Sequence, residues 1–231
     1  MSAAPDPWRQ LVLPFAHQPQ FAAVDFLADA SNAEAAAWTA PGAVWPLRRL
    51  ALWGKPGCGK THLLHVWAGR MATALVAGDA LVFAPPVGLL AIDDADRADE
   101  RALLHMLNAA AEAGFAVLLA ARTPPARWAT VLPDLASRLR AVTAVEIGDP
   151  DDDMLRRLLA RLLSERQLTI DEKLQDWLRL RLPRNAASMR AAAAAIEALV
   201  AQRGGGLTRA AMADWLATLQ GSDHEDFAQS P

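Results

Sequence analysis

Between residues 48 and 147, short apolar runs alternate with stretches of helical spacing. Arg48-Arg49-Leu50-Ala51-Leu52-Trp53, Leu89-Leu90-Ala91-Ile92-Asp93-Asp94 and Phe115 to Ala120 are apolar over consecutive positions and too short for helices. Such runs suit strands covered on both faces, as in a parallel sheet. Thr143 to Ile147 predicts a last strand, and Thr73 to Val76 and Ala80 to Phe83 are further short apolar runs. Helices are predicted from His62 to about Met71, over Asp99 to Ala113 (Leu103, Leu104, Leu107, Ala110 and Ala111 at helical spacing, ended by Gly114), and over Asp134 to Leu139. Upstream, Ser31-Asn32 reads as an N-cap for a helix Ala33 to Trp38. Strands alternating with helices give the fold class α/β with a parallel sheet.

After Gly148-Asp149-Pro150 the pattern turns wholly helical. Asp151 to Gln167, Asp171 to Leu182, Asn185 to Arg203 and Thr208 to Leu219 read as helices, with Gly204-Gly205-Gly206 as a stop. The expected organisation is an N-terminal tail over 1–20, an α/β domain over 21–149, a small α-helical lid domain over 150–219 and a polar, disordered tail over 220–231.

Composition narrows the classes. Of the 231 residues 53% are hydrophobic, enough for a real core. Net charge is −3, which gives no broad basic surface for nucleic acid or anionic membranes. A single cysteine excludes an internal disulfide and a cysteine-rich metal site. With no charged-then-apolar leader and no apolar run of membrane length, a cytoplasmic location with no membrane partner is expected.

The chemistry centres on Gly54-Lys55-Pro56-Gly57-Cys58-Gly59-Lys60-Thr61, which fits the phosphate-loop pattern G-x-x-x-x-G-K-[ST] without mismatch. A strand leads into it and a helix, starting near His62, leads out. That context aims backbone N–H groups and a helix N-terminus at one point, where a phosphate fits. Lys60 is placed to reach the β- and γ-phosphates, and the Thr61 hydroxyl to bind Mg2+. Asp93 ends an apolar strand, where it can hold the same ion, and Asp94 beside it can polarise an attacking water.

Several arginines are further candidates. Arg122 or Thr123, after the strand ending at Ala120, could sense the γ-phosphate; a plain loop arginine fits equally. Arg138, with Arg140 two positions on, lies on a short helix before the last strand and could serve a neighbouring molecule's nucleotide, because a guanidinium is planar and always charged. A surface arginine is the plainer reading of either. Arg190, in the third helix of the C-terminal group, could meet the phosphates if that group folds over the nucleotide.

Taken together, Gly-Lys-Thr-His-Leu-Leu-His (59–65), Leu-Leu-Ala-Ile-Asp-Asp (89–94), Thr-Pro-Pro (123–125), Leu-Ala-Ser-Arg-Leu (135–139) and Ser-Met-Arg (188–190) resemble the AAA+ ATPases related to the replication initiator DnaA, and within them the shorter Hda-type regulatory inactivators. The resemblance covers about residues 21 to 219. It implies an AAA+ core binding ATP or ADP with Mg2+, with Lys60 and Thr61 in Walker A and Asp93 in Walker B. By it Asp94 is the second acid, Arg138 an arginine finger acting in trans, and Arg190 sensor 2. Where initiators usually carry an aspartate after the sensor 1 strand, this chain has Arg122. The chain stops after the lid, without the initiators' helix-turn-helix, so no sequence-specific DNA binding is implied. Gln10-Leu11-Val12-Leu13-Pro14-Phe15 resembles the peptide with which Hda-type proteins bind the sliding clamp (the replicase β subunit). In such a peptide, which includes Pro14, Gln10 would make polar contacts while Leu11, Leu13 and Phe15 anchor in an apolar pocket; the plainer reading packs those three residues on this chain's own domain. The implied function is negative regulation of replication initiation by stimulating ATP hydrolysis on DnaA. A homodimer is one arrangement this allows. The alternative is a self-contained AAA+ ATPase resembling the helicase loaders.

Overall fold

The computed structural model describes residues 26–83, 88–203 and 209–225. The peptide Gln10–Phe15 lies outside them. Phe21–Ala193 forms the larger compact unit, and the stretch from Ala194 belongs to a second.

The larger unit holds a five-stranded sheet: β1 (Arg49–Trp53), β2 (Ala74–Ala77), β3 (Leu90–Asp93), β4 (Val117–Ala121) and β5 (Thr143–Glu146). Its order is β2-β3-β4-β1-β5, and every pairing is parallel. Burial explains which apolar runs became central. β4 is buried at every position and β1 at all but Trp53, whereas the edge strands β2 and β5 are partly exposed. The run Ala80–Phe83 stays out of the sheet. It follows a 3-10 turn (Gly78–Ala80), buries Leu81 and leaves Val82 and Phe83 exposed.

Strand alternation divides the core between two faces. Leu50, Leu52, Leu118 and Ala120 pack against α2 (Lys60–Met71) through Leu63, Leu64 and Trp67, with α1 (Ala33–Trp38) contributing Ala35. Ala51, Ile92, Val117 and Leu119 face the other way, onto α3 (Glu100–Glu112) and α4 (Pro133–Arg140) through Leu103, Leu107, Leu135 and Leu139. Truncating a fully buried leucine such as Leu118 to alanine should cost about 2–5 kcal/mol on either face.

Helix starts are set by local hydrogen bonds. Asp99 accepts from Ala102 N at the start of α3, and Asp151 accepts from Met154 N at the start of α5 (Asp152–Glu165). Asp171 accepts from Lys173 N before α6 (Glu172–Arg179), and Asn185 accepts from Ser188 N at the start of α7 (Ala186–Arg203). At α1 Asn32 holds the expected N-cap position, but its side chain makes no capping hydrogen bond. Asn32 Oδ1 accepts from Asp29 N and its Nδ2 donates to Leu27 O, so the side chain ties down the incoming chain instead of capping the helix. α8 (Arg209–Glu225), in the second unit, runs past the expected end at Leu219 into the segment expected to be a tail. Among the described residues no helix is long and apolar enough to cross a membrane.

Candidate functional site

Parallel strands bring their C-terminal ends to one edge of the sheet, and the candidate residues gather there. The loop from Gly54 to Gly59 links β1 to α2. Its glycines are required by geometry. Gly54, Gly57 and Gly59 all have positive φ, and a Cβ on Gly54 would stand 2.3 Å from Ile147 O. Gly54 N donates to Ala121 O, which fastens the loop to the end of β4. Around Gly59 the backbone is open, with nothing within 4 Å of the place a Cβ would take.

Lys60 is buried, and its Nζ donates to Gly54 O (2.7 Å) and Lys55 O (2.9 Å), with Cys58 Sγ at 3.7 Å. Among the described residues no carboxylate pairs with it. A buried ammonium held only by carbonyls and a thiol is incompletely compensated, which fits a site built to receive an anion. Thr61 Oγ1 donates to Asp93 Oδ2 at 2.7 Å. The hydroxyl of the loop and the carboxylate of β3 thus meet across the end of β4, which lies between their strands. Two oxygen ligands at one spot suit a hard divalent cation.

Asp94 sits in the left-handed region (φ 46) just after β3, and its N–H donates to Asp93 Oδ1 at 3.0 Å. Its carboxylate lies 4.0 Å from Arg97, which also lies 3.7 Å from Asp79. The backbone at Asp94 packs on Gly78, where a Cβ would stand 2.2 Å from Asp94 O. His62, in the first turn of α2, sets its ring edge-on to Phe26 at 5.6 Å. Arg122 is exposed at the end of β4, and its backbone N–H donates to Asp96 at 3.4 Å. Its location is the one expected, and Pro56 and Thr123 sit at the same edge of the sheet.

The start of α7 comes up against the loop. A Cβ on Gly57 would stand 3.2 Å from Ala187 Cβ and 3.5 Å from Asn185 Oδ1. Arg190, one helical turn beyond Ala187, lies on the same side of α7. It is half-buried, pairs with no carboxylate among the described residues, and burial pushes its guanidinium below the usual arginine range.

Sequence reasoning overlooked one contact. Lys55 Nζ donates to Asp149 Oδ2 at 2.5 Å, joining the loop to the Gly148-Asp149-Pro150 segment that follows β5. An acid between Gly148 and Pro150 was the available signal.

Arg138 is elsewhere. Only Ala141 and Val142 separate α4 from β5, so the end of α4 lies at the N-terminal edge of the sheet. That is a strand length, roughly 15 Å, from the chain's own phosphate loop. Arg140 is exposed, whereas Arg138 is partly buried with its Nε shielded and without an acceptor.

No protein-family model and no curated protein matches the sequence. Solved structures do resemble it. Domain III of the Thermotoga maritima replication initiation protein DnaA superposes with a TM-score of 0.73 at 16% identity, covering 83% of this chain and 93% of that one. AMPPCP-bound DnaA from Aquifex aeolicus gives 0.65 at 19% identity, over 78% of this chain and 66% of that one. A mutant of Thermotoga maritima RuvB gives 0.59 at 18% identity, over 74% and 62%. The fold is therefore the one seen in DnaA domain III and shared in part by RuvB, and the likeness is one of fold.

Proposed function

We propose that this chain binds ATP or ADP with Mg2+ and acts on a second nucleotide-bound protein through Arg138. The observation that carries the reading is the separation of Arg138 from its own loop. An arginine at the far edge of the sheet, with no partner among the described residues, is out of reach of its own phosphates and available to those of another molecule. The nucleotide site has the residues its ligand needs. The loop N–H groups, Lys60 and Arg190 would hold phosphate oxygens, and Thr61 and Asp93 would hold the ion. The bound ion and nucleotide would supply a fixed charge that orders the loop and the start of α7.

With the resemblance to Hda-type proteins, this makes the chain a negative regulator of replication initiation. It would be tethered to the sliding clamp by Gln10–Phe15 and would insert Arg138 into the ATP site of DnaA. A guanidinium supplied in trans stabilises developing charge on the γ-phosphate, an effect of about 10³–10⁵ in rate in GTPase systems. Tethering raises local concentration and lets a weak contact act.

The test is ATP turnover by the cognate initiator with DNA-loaded clamp, with and without this protein. A large rise that is lost in Arg138→Ala and in the Gln10→Ala, Leu11→Ala double variant supports the regulator. No rise, together with vigorous turnover by this chain alone that increases with its own concentration, favours the second reading: an AAA+ ATPase in which Arg138 completes a neighbouring copy's site. The intact Thr61–Asp93 pair keeps that reading in play.

A further inference from the structure

Arg49 opens β1 and is only 5% exposed. Strand alternation puts it on the face of Ala51, the side covered by α3 and α4. There its Nη2 donates to Leu107 O at 2.8 Å, which pins the guanidinium under the second half of α3. Register places Arg49 opposite Val117, and its neighbour Leu50 opposite Thr143, just past the end of α4. Arg49 therefore lies beneath the segment that carries Arg138. Among the described residues no carboxylate pairs with either arginine. Burial first, and the positive charge of Arg138 second, push Arg49 below the usual arginine range. Arg138 Nε is itself buried without an acceptor.

Two uncompensated like charges in a poorly solvated place repel each other. Arg49 cannot yield, because the strand and Leu107 O fix it. Arg138 can, because its side chain is partly exposed. Repulsion then favours conformers in which the Arg138 guanidinium points away from the sheet. We propose that Arg49 is a positioning residue for Arg138, a fixed buried cation that holds the Arg138 guanidinium outward toward a phosphate on the partner. The inference rests on the reading of Arg138 given above and adds what orients it.

The test uses the full chain and the same stimulation assay, titrated so that the maximal stimulated rate and the half-saturating concentration are read separately. Arg49→Gln can still donate to Leu107 O but carries no charge. Its maximal rate should fall on the order of tenfold, since a misaimed catalytic group loses rate steeply. Its half-saturating concentration should stay near that of the unaltered protein, and its melting temperature should hold or rise because a repulsion is removed. Arg49→Lys should restore most of the rate. In an Arg138→Ala background, Arg49→Gln should change nothing more. Full stimulation by Arg49→Gln would overturn the proposal. So would failure of Arg49→Lys to rescue, or a rate loss that tracks a loss of folding. The two ideas fail differently: normal stimulation by Arg138→Ala removes the regulator reading and this inference together. Loss in Arg138→Ala with normal Arg49→Gln removes only this inference.

Discussion

Thr61 Oγ1, in the first turn of α2, lies 2.7 Å from Asp93 Oδ2 at the end of β3, although β4 separates β3 from β1, the strand that leads into α2. The pair exists because α2 begins over the end of β4 and turns its first hydroxyl toward β3. A magnesium ion held between these oxygens would make nucleotide affinity depend on the ion. Thr61→Ala and Asp93→Asn should each lose most of the difference between affinities measured with Mg2+ and with a chelator. Titration with a fluorescent nucleotide reads this directly, and an undiminished Mg2+ dependence in both variants would exclude the assignment.

Gly54 has no room for a side chain. Its Cβ would overlap Ile147 O, and its φ of 153 disfavours any L residue. Gly54→Ala should cost about 3 kcal/mol, a drop in melting temperature of roughly 5–10 °C. Gly59→Ala meets no neighbour but keeps a strained φ of 114, so thermal unfolding should show a smaller loss.

Arg190 should change sign with ligand. Its guanidinium is half-buried and has no carboxylate partner among the described residues, a cost to the protein without nucleotide. Arg190→Leu should therefore leave the ligand-free melting temperature unchanged or higher, while shrinking the rise produced by saturating ATP. A rise as large as in the unaltered protein would place Arg190 away from the phosphates.

Glu100 supports the segment before α4. Its carboxylate accepts from Val131 N at 2.9 and 3.0 Å and from Leu132 N at 2.9 Å. Glu100→Ala should cost about 1–2 kcal/mol in denaturant unfolding, because two backbone donors lose a charged acceptor. Glu100→Gln should recover part of it.

The Lys55–Asp149 pair gives a pH dependence of known sign. Its hydrogen bond to Asp149, and then the charge of Asp149, raise Lys55 above the usual lysine range. A raised value means that the contribution is fully present below the ordinary lysine value and is lost as pH rises through the raised one. The difference in melting temperature between the unaltered protein and Lys55→Met should stay flat on raising the pH from neutrality and fade at strongly alkaline pH. Because both side chains are largely exposed, molar salt should shrink it as well.

The order of strands and helices was legible because each central strand is a continuous apolar run and helices such as α3 and α5 carry their own caps in Asp99 and Asp151. The glycine loop between β1 and α2 was legible because its glycines and Lys60 are adjacent in sequence. Asn32 stands at the N-cap position the pattern indicated, but its side chain bonds Asp29 N and Leu27 O instead of the helix. The α/β alternation, the phosphate loop and the acids at the end of β3 are all properties of neighbouring residues, and the amino-acid order was enough to specify them. Folding in three dimensions was needed to put β4 between β1 and β3, to bring Thr61 to Asp93, to press the start of α7 on Gly57 and to bury Arg49 against Leu107 O of α3. Each of these depends on how strands are ordered and how helices cross them, and chain separation hides that from any local pattern.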